Sequence, residues 1–343
     1  MKETKARRGR LVLGIDLGGT KILALVIDRR GRVLGRARER TRGGEGVAPV
    51  IARIAHAARF ALRRAGVTPR RIGAAGIAAP GVIDPVRGVV RTAPNLPGWE
   101  DVPLAELLAD QVGLPFAVEN DANAGAFAEH HLGAGRGAGD LVAIFVGTGI
   151  GGGLVFGGRI HEGARLAAGE LGHMAIAAAG PWCGCGQQGC VEAVAGRNAI
   201  ARALRAAVNA GRESQLAPLI AAEAAGGEML RSNAIADAYR RRDPLTCDVL
   251  AGAQAALGLL TGNIVNLLDP GVVVFGGGLI EALGPRFVVG IRRAARPRFL
   301  LKADARRVRI TMARLGDDAV ALGAGLAARA GARWEYAAHR PAR

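Results

Sequence analysis

Three glycine-rich loops, each placed at the end of a hydrophobic run, constrain the fold of this 343-residue chain more than any other feature. The first is DLGGTK at residues 16–21, the second GTGIGGG at 147–153, and the third GGG at 276–278. The first two lie between hydrophobic runs and predict β-hairpins, whereas the third leads into a predicted helix. Glycine lets backbone N–H groups approach phosphate oxygens, because no side chain intervenes. We therefore predict two α/β lobes with a cleft in which these loops hold nucleotide phosphates.

Any one of these loops is weak evidence by itself. Neither of the first two has the G-x-x-x-x-G-K-[ST] pattern of a P-loop, and a single glycine loop is equally consistent with a tight turn. Three loops that all follow hydrophobic strands are harder to explain as turns alone. Together they indicate an α/β protein that binds a nucleotide.

A short segment after the second loop carries a predicted metal site. Its candidate ligands are one histidine and three cysteines: His173, Cys183, Cys185 and Cys190. Three thiolates and one imidazole complete a tetrahedral Zn²⁺ site, so no position remains for a catalytic water. Cysteines packed as small buried hydrophobic residues are the alternative, but the glycines between them offer no side chains to pack against. We predict a structural zinc, which would also orient the flanking carboxylates of Glu170 and Glu192.

The formal net charge of +17 raises the question of nucleic-acid binding. A basic surface is the usual footprint of such proteins. Here the charge comes mainly from arginines spread along the chain, and the densest run, 292–309, contains Phe299 but no interleaved stacking aromatic residues. No helix-turn-helix or RNA-binding signature is evident. We expect no specific nucleic-acid partner, although polyanions such as nucleotides would be attracted.

Composition and cysteine usage bear on localisation. Hydrophobic residues make up 50% of the chain, yet no window contains 18 uninterrupted apolar residues, and so we predict no membrane span. Residues 1–10 are polar and basic and lack the features of a signal peptide. A thiolate cluster with one further cysteine, Cys247, suits a reducing compartment. We expect a cytoplasmic protein.

Five motifs, taken in order, resemble the ROK family of bacterial sugar kinases and repressors. They are DLGGTK at 16–21, END at 119–121, GTGIGGG at 147–153, ELGH at 170–173 and CGCGQQGCVE at 183–192. The resemblance extends from about residue 11 to about residue 330. It implies an α/β fold of the actin-like ATPase (ribonuclease H-like) type, two-lobed, with a nucleotide and sugar cleft. It also implies transfer of the ATP γ-phosphoryl group to a hexose, usually by a homodimer or a dimer of dimers.

The resemblance assigns roles on both sides of the reaction. Asp121 resembles the general base that accepts the proton of the sugar hydroxyl, and His173 would bind zinc through one ring nitrogen and the sugar through the other. The expected sugar-binding residues are Gly81, Asn120, Asp121, Glu170, His173 and Glu192. Asp16 would position Mg²⁺. The expected ATP-binding residues are Asp16, Gly18, Gly19, Thr20, Lys21, Gly147, Thr148, Gly149, Gly151, Gly276, Gly277 and Gly278.

The position of Asp121 supports its assignment independently of the resemblance. Phosphoryl transfer needs positioning, charge neutralisation and one base near the nucleophile. Asp121 follows the apolar run 114–118 at the carboxyl end of a predicted strand, where α/β proteins place ligand sites. A helix is predicted to begin there, so capping by Asn120 or Asp121 is the alternative role. Glu119 should face away from the site.

Two differences from the family pattern matter. Its kinases usually carry Ala-Ser-Gly shortly after the last motif glutamate, whereas this chain has Ala195, Gly196 and Arg197. Its repressors carry a winged helix-turn-helix domain before the first glycine loop, whereas ten residues precede Leu11 here, which favours the enzyme over the regulator. Glucose is the expected substrate. An N-acetylhexosamine or fructose remains the alternative, because few pocket contacts distinguish these sugars.

The domain prediction follows from these assignments. Residues 11–118 and 316–332 should form the smaller lobe, with the C-terminal helix returning to it. Residues 119–315 should form the larger lobe and contain the zinc loop, 170–192. Basic tails are predicted at 1–10 and 333–343.

Overall fold

The computed structural model describes residues 11–331, and both predicted tails lie outside this range. The chain divides into two compact units. Within the described residues, the first unit takes the chain up to Arg136, the segment Gly158–Ala168 and the chain from Asp317 onward. The second unit takes Gly137–Gly157 and Gly169–Gly316.

The described residues form thirteen strands and eleven α-helices. The strands are β1 (Leu11–Leu17), β2 (Lys21–Ile27), β3 (Val33–Arg40), β4 (Ile72–Ala79), β5 (Val82–Asp84), β6 (Val89–Thr92), β7 (Glu100–Val102), β8 (Phe116–Asn120), β9 (Leu141–Val146), β10 (Ile150–Phe156), β11 (Arg159–Ile160), β12 (Val272–Gly276) and β13 (Arg309–Met312). The helices are α1 (Val47–Arg64), α2 (Leu104–Val112), α3 (Asp121–His131), α4 (Glu192–Ala195), α5 (Arg197–Asn209), α6 (Ala217–Ala224), α7 (Ser232–Arg240), α8 (Pro244–Leu268), α9 (Gly278–Leu283), α10 (Pro285–Ala295) and α11 (Ala319–Ala330).

The first unit is built on a five-stranded sheet in the order β3-β2-β1-β4-β8. β1 and β2 form an antiparallel hairpin, while β4 runs parallel to β1 and β8 parallel to β4. β1 and β2 are buried along almost their whole length, which explains their continuous apolar sequences. The edge strand β3 instead exposes alternate residues. A small antiparallel sheet, β5-β6-β7, completes the unit.

The C-terminal helix α11 packs directly on this sheet and on α3. The approach is close: a Cβ atom on Gly14 of β1 would lie 1.9 Å from the carbonyl oxygen of Ala321. Because α3 packs against α11, the first unit extends to Arg136, whereas the sequence predicts a boundary after residue 118.

The second unit contributes four strands to its sheet, in the order β10-β9-β12-β13. β9 and β10 are antiparallel, and β12 is parallel to both β9 and β13. Each unit therefore contains an antiparallel hairpin with a glycine turn, followed by a parallel neighbour of the first hairpin strand. This arrangement confirms the hairpins predicted at the first two glycine loops.

Helix α8 is the one described helix that is long and apolar enough to cross a membrane by length and composition. Of the most apolar 18-residue window of this helix, 56% is buried inside the protein. It packs against α4, α5 and α10. Its apolar sequence is therefore accounted for by a central position among the helices of the second unit.

Candidate active site

The first glycine turn is held by a residue that the sequence analysis missed. The Gly18 N–H donates to the carbonyl of Lys21 at 2.9 Å and closes the β1–β2 turn. Buried Thr41 donates its N–H to the Thr20 carbonyl at 3.0 Å and its hydroxyl to the Gly18 carbonyl at 2.6 Å. Thr41 follows β3 without any pattern that would distinguish it, so only the folded chain shows this support.

Lys21, a predicted phosphate ligand, forms an ion pair in the structure. Its Nζ lies 2.7 Å from a carboxylate oxygen of Asp317, and this hydrogen bond lowers the pKa of Asp317. Asp317 is exposed and stands just before α11, far from Lys21 in sequence. A phosphate group would therefore compete with Asp317 for the same ammonium group.

Asp16 and Asp121 are electrostatic neighbours in the first unit. Asp16 lies near the end of β1 and is buried. Burial and, to a lesser extent, the charge of Asp121 raise the pKa of Asp16 to about 7, although Lys21 opposes the shift. The carboxylate of Asp16 is a suitable donor for Mg²⁺, which prefers oxygen ligands and takes one or two carboxylates together with substrate phosphates.

The raised pKa of Asp16 predicts how stability depends on pH. Folding raises this pKa from 3.8 to about 7, so the free energy of unfolding should fall as the pH rises through that interval. We expect Asp16→Asn to stabilise the protein at pH 8 by on the order of 2–4 kcal/mol, because the cost of the buried charge is removed. Urea unfolding at several pH values, without added magnesium, measures this. An unchanged pH dependence in the variant would contradict it.

The turn between β8 and α3 combines a cap with two predicted site residues. The Asn120 side-chain oxygen accepts hydrogen bonds from the N–H groups of Ala122 and Asn123, at 2.9 and 3.1 Å. Its Nδ2 donates to the Gly81 carbonyl at 3.0 Å. Asn120 is therefore an N-cap, the alternative role considered above, and one N–H of its amide remains as a donor for a ligand.

Asp121 is the first residue of α3 and is partly exposed. Its Oδ1 accepts a hydrogen bond from the Ala122 N–H at 2.8 Å, which restrains the carboxylate. The preceding Glu119 is buried, and its Oε1 accepts from the Asn120 N–H and from Asn123 Nδ2. These contacts show that buried Glu119 supports the turn, and its predicted orientation away from the site stays a prediction.

The four predicted metal ligands lie together in the second unit. One ligand atom from each of His173, Cys183, Cys185 and Cys190 falls within 4.8 Å of the others. His173 Nδ1 is 3.6 Å from Cys183 Sγ, and the Sγ atoms of Cys185 and Cys190 are 3.7 Å apart. Zinc–sulfur bonds of about 2.3 Å in a tetrahedron require sulfur atoms about 3.8 Å apart. The cluster fits a structural Zn²⁺ ion, and Nδ1 is the histidine nitrogen on the cluster side.

Local turns bring these ligands together. Cys183 donates its N–H to the Gln187 carbonyl at 2.8 Å, and Ala175 pairs with Cys190 in an isolated β-bridge. Gly189, with φ of +80°, passes so close to Ala177 that a Cβ atom would lie 1.7 Å from its carbonyl oxygen. Only glycine fits that position, and it delivers Cys190 into the cluster.

The electrostatics of the cysteines also favour a bound cation. Burial raises the pKa of Cys183, and burial together with the other two thiols raises the pKa of Cys190 to about 12. Three adjacent thiolates therefore need a cation beside them. The charge of a Zn²⁺ ion would stabilise the thiolates, so the coordinating thiols would lose their protons.

Glu192, the first residue of α4, stands between the zinc cluster and the second glycine loop. Its Oε2 accepts a hydrogen bond from the Ile150 N–H at 2.7 Å, and its Oε1 lies 3.8 Å from Cys183 Sγ. The predicted sugar ligand therefore also supports the glycine loop. Glu170, another predicted sugar ligand, is exposed at the start of the short helical turn that ends at His173.

The second glycine loop is held by the segment that follows Glu192. In the loop, the carbonyls of Gly147 and Thr148 accept hydrogen bonds from the N–H groups of Arg197 and Asn198, at 3.0 and 3.3 Å respectively. The third loop begins at the end of β12, and α9 starts at its last glycine. In the sequence, Arg197 is recognisable only as a difference from the family motif, and its contact with this loop depends on the fold.

Comparisons with known proteins agree with this arrangement. The family model described as "ROK family" matches residues 12–330 of this chain. A glucokinase from Thermotoga maritima is 35% identical over 79% of this chain and 83% of its own length. A ROK hexokinase from Thermus thermophilus is 37% identical, with a TM-score of 0.78, over 94% of this chain and 99% of that one. A ROK glucokinase from Streptomyces griseus, solved with glucose and AMPPNP, is 33% identical, with a TM-score of 0.78, over 94% and 100%.

The class of protein follows first from the architecture. Two α/β units, each with a glycine-turned hairpin beside parallel strands, have the actin-like ATPase fold that these solved structures share. Within that class, the chain belongs to the ROK family.

Proposed function

We propose that this ROK protein is an ATP-dependent sugar kinase that phosphorylates the 6-hydroxyl group of glucose with Asp121 as general base. The observation that carries the proposal is the electrostatic proximity of Asp121, just after β8, to buried Asp16 near the end of β1. This pair provides one carboxylate to accept a proton and another to neutralise a metal–phosphate complex. The similarity to glucokinases, one of them solved with glucose and a nucleotide, supports the choice of substrate.

The proposed chemistry divides between these two carboxylates. Asp121, restrained by its bond to the Ala122 N–H, accepts the proton of the attacking hydroxyl group. Asp16 is the residue that would hold Mg²⁺, and the bound ion would supply positive charge to offset that of the transferred phosphoryl group. Lys21 exchanges Asp317 for a phosphate oxygen, and the glycine loops present their backbone N–H groups to the remaining oxygens.

Sugar recognition rests on hydrogen-bonding groups whose orientation is fixed. Asn120 has one amide N–H beyond its bond to Gly81. His173 directs Nδ1 toward the cysteines, so its other nitrogen is the one that would bind a hydroxyl group. Metal ligation fixes the tautomer and ring plane of a histidine, which prepares that nitrogen for binding. The carboxylates of Glu170 and Glu192 are the proposed acceptors.

A coupled assay with ATP across glucose, N-acetylglucosamine, N-acetylmannosamine and fructose tests this function. We expect the highest kcat/KM for glucose. For hexoses that differ from glucose by one contact with the protein, kcat/KM should be lower by factors of about 10–200, corresponding to about 1–3 kcal/mol. A clear preference for an N-acetylhexosamine or for fructose would reassign the substrate within the family. Absence of turnover with all four sugars would contradict the kinase itself.

A further inference from the structure

Arg197 contacts the second glycine loop but has no role in the assignments above. It is the first residue of α5, and its backbone N–H donates to the Gly147 carbonyl. Its Nη2 lies 3.0 Å from the hydroxyl oxygen of Thr148 and 3.3 Å from the side-chain oxygen of Asn198. The backbone of Arg197 is therefore bound to the loop at Gly147, and its guanidinium group contacts the tip of the loop at Thr148.

The charge of this guanidinium group is not neutralised by a nearby acid. Among the residues that the structure describes, no carboxylate oxygen pairs with Arg197, although thirteen other ion pairs are present. Its Nε is buried and has no hydrogen-bond partner. A partly buried cation that lacks a counter-ion is costly, and an anion bound beside it would offset that cost.

The surroundings indicate which anion fits. Thr148 is exposed, while Gly147 and Gly149 are partly exposed, so the tip of the loop is open to a ligand. Glycine loops that connect two strands are suited to phosphate oxygens, and a guanidinium group binds phosphate through its planar fork of donors. Thr148 adds a hydroxyl group at the same point.

We propose that Arg197 is a phosphate-binding residue of the nucleotide site, contacting the phosphate chain of ATP beside Thr148. The inference rests on the proposed kinase function and extends it to a residue that is not part of the motif assignments. A guanidinium contact with a transferring or adjacent phosphate also neutralises charge that develops during phosphoryl transfer.

Calorimetry with AMPPNP and with adenosine tests this contact on the full-length protein. We expect Arg197→Gln to weaken AMPPNP binding by about 10- to 100-fold, the usual effect of losing a charged hydrogen bond, and to leave adenosine binding unchanged. Arg197→Lys should recover part of the loss, because the charge is kept but the fork is not. Arg202→Gln is the matched control, since Arg202 lies on the same helix and donates to the Ala193 carbonyl.

The outcomes separate this inference from the proposed function. Binding of AMPPNP within about twofold of the parent protein in Arg197→Gln would overturn the phosphate contact while leaving the kinase assignment standing. An equal loss of AMPPNP and adenosine binding would show that Arg197 only shapes the loop, and would also overturn it. Failure of the unmodified protein to bind AMPPNP would overturn both proposals.

Discussion

Replacing Asp121 by Asn is expected to abolish sugar phosphorylation while leaving both substrates bound. The substitution removes the proton acceptor but keeps an oxygen that can accept the Ala122 N–H, so α3 should still begin at the same residue. Loss of a general base typically costs a factor of about 10²–10⁴ in rate. The expected change is therefore in kcat, with little change in KM for either substrate.

Steady-state kinetics together with calorimetry for glucose and AMPPNP would measure both parts of this prediction. Glu119→Gln is a useful companion variant, because Glu119 is buried and supports the same turn through its hydrogen bonds to Asn120 and Asn123. The Glu119→Gln variant should lower the free energy of unfolding but change kcat little. An Asp121→Asn enzyme that kept more than about a tenth of the parent kcat would remove Asp121 from the role of base.

Loss of zinc should have the second large effect. We expect one zinc per chain, and Cys185→Ala should release it, because three ligands hold a structural metal far less tightly than four. The segment from Glu170 to Glu192 would then lose its main constraint, and sugar affinity should fall at least about 100-fold, the larger effect expected when groups that orient metal ligands are lost. Elemental analysis and calorimetry with glucose would measure the two changes.

Cys247→Ala is the matched control for this experiment. Cys247 lies in α8, outside the cluster, so its loss should change neither zinc content nor sugar affinity. The bond between Glu192 and the Ile150 N–H predicts a smaller, secondary weakening of AMPPNP binding in Cys185→Ala. A zinc-free Cys185→Ala protein with normal sugar affinity would show that the metal does not organise the site.

The parts of the site that could be predicted are those encoded locally. The cysteine ligands lie within eight consecutive residues, and glycines at set positions, such as Gly189, allow only a tight loop, so the ligand set could be recognised without a fold. The turn at Asn120 is similar, because an N-cap is an interaction between near neighbours. The hydrophobic runs likewise predicted the hairpins and the strand before the third glycine loop.

The contacts that could not be predicted join residues distant in sequence. Asp317 pairs with Lys21 because α11 returns to the first sheet, and no local pattern encodes that pairing. Glu192 binds the Ile150 N–H because the zinc loop folds back on the β9–β10 hairpin. The first unit extends beyond the predicted boundary for the same reason, because α3 packs on α11, a helix distant from it in sequence.

The sequence by itself therefore determined the family, the candidate metal ligands and the strands that flank the glycine loops, all of which depend on residue types at short spacing. The tertiary structure alone decided which groups support those motifs. It placed Thr41 under the first glycine turn and Arg197 against the second, and it buried Asp16 beside Asp121. The physical reason is that burial, charge pairing and long-range hydrogen bonds are set by which surfaces meet, and residues far apart in the chain contribute to each of them.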